Sequence, residues 1–131
     1  MKKEIPFRNR NQTGWWIASI VMRFEYYDED KDDLKRECLV WDNLILVEAE
    51  DREDAFVKSN KLGIAGENEA WETDTGRKGK WKFEGLSGLL PMYDEFAHGA
   101  ELLWNEYDGI SVEKAKSMVL PKSELECFED E

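Results

Sequence analysis

One stretch, residues 39–63, constrains the fold of this 131-residue chain more than any other. It opens on Leu39, Val40 and Trp41, crosses Asp42 and Asn43, and continues as the apolar run Leu44-Ile45-Leu46-Val47. A short apolar run between polar residues suits a strand covered on both faces. The polar pair 42–43 predicts a bulge or twist inside it. Asp51 then offers a carboxylate to the free N–H groups of a helical first turn. Glu53 and Asp54 sit at the positive end of that helix, Lys58 and Lys61 toward the negative end. Ala55, Ser59 and Leu62, with Phe56 beside them, make one core stripe. Gly63 fits the left-handed residue that ends a helix, and Ile64 the apolar contact after it. The stretch therefore predicts a buried strand and a capped helix packed back over a sheet.

The rest of the chain reads as partners for that unit. In residues 15–27, Trp16, Ala18, Ile20, Met22, Phe24 and Tyr26 alternate onto one face, with Ser19, Arg23 and Glu25 on the other. Trp15 and Ile17 start the second face apolar, so the beginning of that strand is expected to be covered on both sides. A charged loop, 28–37, joins the two strands as a long-tipped antiparallel hairpin. Ala70 to Thr73 and 80–86 predict a second hairpin around the glycine-rich turn 74–79. Residues 87–92, with glycine and Pro91, predict that the sheet ends or bends there. Residues 101–107 read as a last edge strand, and 111–120 as a short helix capped by Ser111 and stopped by Pro121.

Charge narrows the partners. A formal net charge of −12 disfavours direct contact with nucleic acid phosphates, which needs clustered Lys and Arg. It disfavours an anionic membrane surface equally, and it suits a basic protein reached by electrostatic steering. The two cysteines, Cys38 and Cys127, fall in no Cys-x-x-Cys pattern, which predicts buried or partly buried free thiols in a reducing, cytoplasmic setting. No run approaches membrane-spanning length, and the first residues lack the apolar core of a signal peptide.

No catalytic constellation stands out. His98, the only histidine, lies in Phe-Ala-His-Gly-Ala, a turn-like setting without an organised partner. The alternating Asp28, Asp30 and Asp32 invite a calcium-loop reading. Asp33 replaces the glycine such a loop needs, however, and Leu39 stands where its bidentate acid belongs, so a solvated loop tip is expected. No metal, cofactor or catalytic residue is assigned. The acidic clusters 25–37, 48–54 and the tail are the suggestive feature. Of the six tryptophans, Trp16, Trp41 and Trp81 are expected in the core, and Trp15, Trp71 and Trp104 near strand ends, where they can anchor an interface. Asp28, Glu29, Asp30, Asp32, Asp33, Trp71 and Trp104 are accordingly the expected partner-binding residues.

The order of the pieces is itself informative. Trp15-Trp16-Ile17-Ala18 is followed by Leu44-Ile45-Leu46-Val47-Glu48-Ala49 and the helix with Glu53-Asp54-Ala55. Then come Glu67-Asn68-Glu69, the Gly76 turn, Trp81-Lys82-Phe83-Glu84-Gly85-Leu86, Tyr93-Asp94-Glu95 and Gly99-Ala100-Glu101. Over residues 14–107 this resembles a family of small bacterial proteins catalogued as a domain of unknown function, family 4288. The resemblance implies an α+β fold and supplies no activity. The acidic loop after Tyr27 and the extension after Tyr107 look peculiar to this chain.

The expected object is thus a single α+β domain with a twisted antiparallel sheet of about four to five strands. One main helix lies on one face, and a short C-terminal helix follows. Residues 1–13 are read as an arm, 14–120 as the domain and 121–131 as an acidic tail. The expected role is a small acidic protein-binding module, an inhibitor or immunity-type protein neutralising a basic partner such as a nuclease toxin. Two alternatives stand beside it. One is a ligand-binding domain with a concave site lined by Trp71, Trp81 and Trp104 with a convergent acid or His98. The other is a self-associating module, a homodimer through the last strand.

Overall fold

The strict alternation of the first strand decides the middle of the sheet. The structure, a computed structural model, describes residues 10–67, 71–72 and 75–129. The architecture is α+β: an open antiparallel sheet with one main helix on it. Strands β1 (Trp15–Tyr26), β2 (Leu39–Glu48) and β4 (Lys78–Pro91) are long, while β3 (Trp71–Glu72) is a two-residue rung on the far side of β4. Helix α1 spans Arg52–Ala65 and helix α2 spans Val112–Ser117. The order across the sheet is β2-β1-β4-β3, so the long strands number three.

β1 pairs along its length with both β2 and β4. Its even-numbered side chains face α1 and form the core: Trp16, Ala18, Ile20, Met22 and Phe24 are all buried, joined by Val47, Ala49, Ala55 and Trp81. Aromatic rings meet edge to face here, Phe24 with Trp81 at 5.2 Å between centroids and with Tyr26 at 5.0 Å, the geometry their quadrupoles favour. On the second face Ile17 is also buried, and Trp15 meets Phe96 edge to face at 5.7 Å. The start of β1 is therefore covered on both sides, as its sequence predicts.

β2 is not the doubly covered strand that its apolar run suggests. It is the sheet edge, and Leu44 is 63% and Leu46 42% exposed. Its register with β1 runs unbroken from Leu39 to Glu48, so the bulge expected at Asp42–Asn43 is absent. The irregularities lie instead between β1 and β4, where Ser87 and Glu84 are skipped in the pairing. Each has a polar reason to bulge. The Ser87 hydroxyl donates to Asp42 at 3.0 Å, and Glu84 accepts from Arg23 at 3.2 Å. Accommodating both bulges, β4 continues to Pro91 rather than ending at Ser87. Pro91 is tolerated because it is the terminal residue of the strand.

α1 begins as expected: the Asp51 carboxylate accepts from the Asp54 N–H at 2.8 Å, and the Asp54 carboxylate accepts from the Glu50 N–H at 3.1 Å. That backbone hydrogen bond, with Lys58 close by, holds the Asp54 carboxyl below its usual range. The helix does not stop at Gly63, however. It continues to Ala65, and Gly66 closes it in a right-handed conformation. Gly63 is instead a point of close approach, because a Cβ there would collide with the Phe83 ring. The face pressed on the sheet is thus Ala55, Ser59 and Gly63. Small residues at that spacing let the helix sit close, which leaves Phe56 and Leu62 about half exposed at its flanks.

Beyond Trp104 the packing ends. The edge strand expected at 101–107 does not form; Tyr93 and Trp104 stack at 4.8 Å instead, so this apolar segment is used by ring contacts rather than by a ladder. Every residue from 105 to 129 is exposed. α2 forms with Ser111 as its cap, accepting from the Lys114 N–H at 3.0 Å, but buries nothing.

Candidate functional site

The acidic loop is held by cations from β1, from the loop itself and from the turn before β4. The Asp28 carboxylate receives Arg77 at 2.6 Å, and that guanidinium also lies 3.7 Å from the centroid of the Tyr26 ring. The hydrogen bond from Arg77 holds the Asp28 carboxyl below its usual range. Glu29, its side chain 7% exposed, is clamped by Arg36 at 3.2 Å and Arg23 at 3.8 Å. Glu25 is buried, which pushes its carboxyl up, but Lys31 and Arg23 outweigh the burial and the net direction is down. Two of the residues expected to meet a partner, Asp28 and Glu29, are therefore spent inside the loop. A nearly buried carboxylate is retained only with such partners.

Asp30 and Asp33 serve the loop backbone. Their carboxylates accept from the N–H groups of Asp32 and Lys35, at 3.1 and 3.0 Å, two Asx turns in series. Both remain exposed, as do Asp32 and Glu37, and among the described residues none of these four carboxylates is in an ion pair. No cluster of metal-ligating side chains occurs among the described residues.

The expected tryptophan anchors are not brought together. The Trp71 backbone pairs with Gly79, opposite Tyr26, at the loop end of the sheet; its side chain lies outside the described residues, as do Ala70 and Thr73. Trp104 stacks on Tyr93, just past the Pro91–Trp16 pair at the opposite end. Nine residues of β1 separate those ends, roughly 30 Å at the usual rise per residue. The concave site of Trp71, Trp81, Trp104 and His98 therefore does not form. His98 is exposed, in the segment after β4.

A different aromatic pair makes the cleft. Trp41, expected in the core, is 47% exposed. It lies on edge strand β2, so no strand covers its outer side. Its ring meets that of Trp81 at 4.6 Å between centroids. Together with Ile20, Met22 and Ile45 below and Leu62 and Gly63 of α1 above, they line an open cleft of about 420 Å³. The only polar side chain in its wall is Asn43. Sequence reasoning missed this site for one reason: it needs the helix to reach past Gly63 and β2 to be an edge. The signal available was the odd-numbered face of β2, where Leu39, Trp41, Asn43, Ile45 and Val47 share a side.

Among the described residues no carboxylate lies in the wall of the cleft; the exposed Glu37 precedes Trp41 by four residues along the entry to β2, about 13 Å of extended chain. Such a site offers apolar contact within, and the acidic loop leads into the strand that forms its wall. It presents no convergent acid, base or nucleophile. Cys38, at the same entry, and Cys127 are free thiols and both are exposed, rather than buried as expected; neither position is enclosed by packing. Among the described residues no helix is long and apolar enough to cross a membrane.

A protein-family model described as a domain of unknown function (DUF4288) matches residues 15–104, from the first residue of β1 to the ring that stacks on Tyr93. No curated protein and no solved structure matches the chain.

Proposed function

The chain belongs to the DUF4288 family, matched over more than half of its 131 residues, and for this member we propose a protein-binding role: a small acidic module that captures a basic, amphipathic segment of a partner protein. The observation that carries the reading is the Trp41–Trp81 cleft, apolar within, on the strand that the exposed acids of the 28–37 loop lead into. Helix-in-groove recognition uses such a surface, with apolar anchors in the groove. Half-exposed tryptophans are the side chains that most often carry interface energy. The net charge of −12 supports a basic partner and fast, steered association. Within this class the specific form proposed is an inhibitor of the immunity type, acting in the cytoplasm on a basic protein such as a nuclease toxin. Asp30, Asp32 and Asp33 are kept as residues assigned to contact, and Trp41 takes the place of Trp71, Trp104, Asp28 and Glu29.

The test is retention of host proteins by the tagged chain at low and high salt, beside the variants Trp41→Ala and Asp30→Asn/Asp32→Asn/Asp33→Asn. The expected result is one basic protein held at low salt, weakened by salt and by the triple variant, and lost with Trp41→Ala. Retention that ignores both variants, or no retained basic protein, overturns the reading.

A further inference from the structure

Among the described residues no strand pairs with the outer edge of the ten-residue β2. The Ala49 N–H donates to the Gly14 carbonyl at 2.9 Å, which fixes the phase of the β1–β2 ladder. In an antiparallel pair the hydrogen-bonded positions alternate, so the odd residues of β2 bond to β1. Val40, Asp42, Leu44 and Leu46 then point their N–H and C=O groups away from the sheet. Glu48 agrees with this phase, since its outward carbonyl accepts from Lys58 Nζ at 3.0 Å. Among the described residues no backbone hydrogen bond reaches the outward groups of residues 40, 42, 44 or 46.

Native edges are normally blunted by proline, lysine, glycine or bulges. β4 carries such devices: Lys78, Lys80 and Lys82, two bulges, Gly85 at φ +145° and Pro91. β2 carries none of them, and Leu39, Val40, Trp41, Leu44 and Leu46 are large apolar residues at least 40% exposed. We propose that the β2 edge pairs with the β2 edge of a second copy, antiparallel about a two-fold axis through Asn43, so that two sheets become one. This stands apart from the cleft reading and does not require it.

The sequence of β2 selects this register. Outward residues must face outward residues, so the axis passes through a residue, not between two. Centred on Asn43, it sets Val40 against Leu46, Trp41 against Ile45 and Leu39 against Val47. Asp42 then faces Leu44, and the one self-facing side chain is an amide that can bond its own copy. Centred on Asp42, two carboxylates face each other; centred on Leu44, Val40 meets Glu48. Like charges directly opposite are destabilising, and apolar cross-strand pairs are favourable. A two-fold interface is isologous and closes at two copies, which keeps an unblunted edge from growing into fibres.

The test is sedimentation of the full chain across concentration and salt. The expected result is a mass rising from 15.4 kDa to twice that value. Added salt should strengthen association, because it screens repulsion between two chains of the same sign. Salt should weaken capture of a basic partner, so the two readings fail separately. Leu44→Glu puts a carboxylate opposite Asp42 in both halves and should weaken association roughly tenfold or more. Amide exchange of the wild-type chain reads the same point without a variant. Amides 40, 42, 44 and 46 should exchange fast when dilute and slowly when concentrated, while 41, 43 and 45 stay protected throughout. A chain that remains at 15.4 kDa with concentration-independent exchange overturns the pairing. So does a larger species unaffected by Leu44→Glu, and so does protection that appears only with a different protein added.

Discussion

β1 and β2 look alike on paper and live differently in the fold. Both are rich in aromatic and branched apolar residues, and each has an unbroken four-residue apolar run. Yet β1 is flanked by strands on both sides, and most of its side chains are buried. β2 has one neighbour and buries Val47 alone among its ten residues. Burial is set by the number of neighbours, not by the hydrophobicity of the strand. An apolar strand that stays exposed has an unspent surface, and that surface is where the cleft and the free ladder both lie.

The comparison breaks most visibly at Phe24, 1% exposed near the C-terminal end of β1. Phe24→Ala should cost about 3–5 kcal/mol, the range for emptying a buried aromatic site, read from denaturant midpoints with an unchanged slope. Gly79→Ala probes the β1–β4 side of the same strand. A Cβ at residue 79 collides with the Glu25 backbone carbonyl and the Phe24 ring, so the ladder itself has to shift to admit it. A loss of about 1–3 kcal/mol is expected, and an unchanged melting temperature would contradict the close approach.

Glu25 sharpens the comparison through pH. Its folded carboxyl lies below its ordinary value of 4.5, burial being outweighed by Lys31 and Arg23. A lowered folded value means the stabilisation is fully present above about 4.5 and is lost as pH falls through the folded value. Thermal stability should drop as pH falls below 4.5, and Glu25→Gln should flatten that fall. An equal fall in wild type and variant would remove Glu25 from the account. The smallest effect belongs to β2. Leu44→Ala, at a side chain 63% exposed, should change the stability of the dilute chain by no more than about 0.5 kcal/mol. A loss near that of Phe24→Ala would mean that the edge is covered even in the single chain.

Much of this was legible in the chain. The period-two pattern of residues 15–26 names both the strand and its buried face, because alternation leaves one solution for a half-buried strand. The Asp51 and Ser111 caps are local chemistry and form as read. The α+β class and the family follow from the order of the elements. The site was less legible: of seven residues expected to meet a partner, Asp28 and Glu29 are held by arginines from other parts of the chain, and Trp104 is used by Tyr93. Charge shows in a sequence, but which charges neutralise one another depends on what the fold brings within 4 Å.

What tertiary structure alone decided is therefore specific. It placed β1 rather than β2 at the centre, since sheet order follows from which pairings leave a helix room to cover the common face. It used Gly63 as a contact instead of a stop, since the glycine signal is the same for a left-handed turn and for a ring pressed against a helix. It left Trp41 beside Trp81 in the open, since the edge of a sheet has no strand to close it. Sequence by itself determined the local elements, their buried faces and the charge, because those depend on neighbours a few residues away. The sheet edge and the cleft depend on neighbours across the fold, as with Asp42 and Ser87, which lie 45 positions apart in the chain.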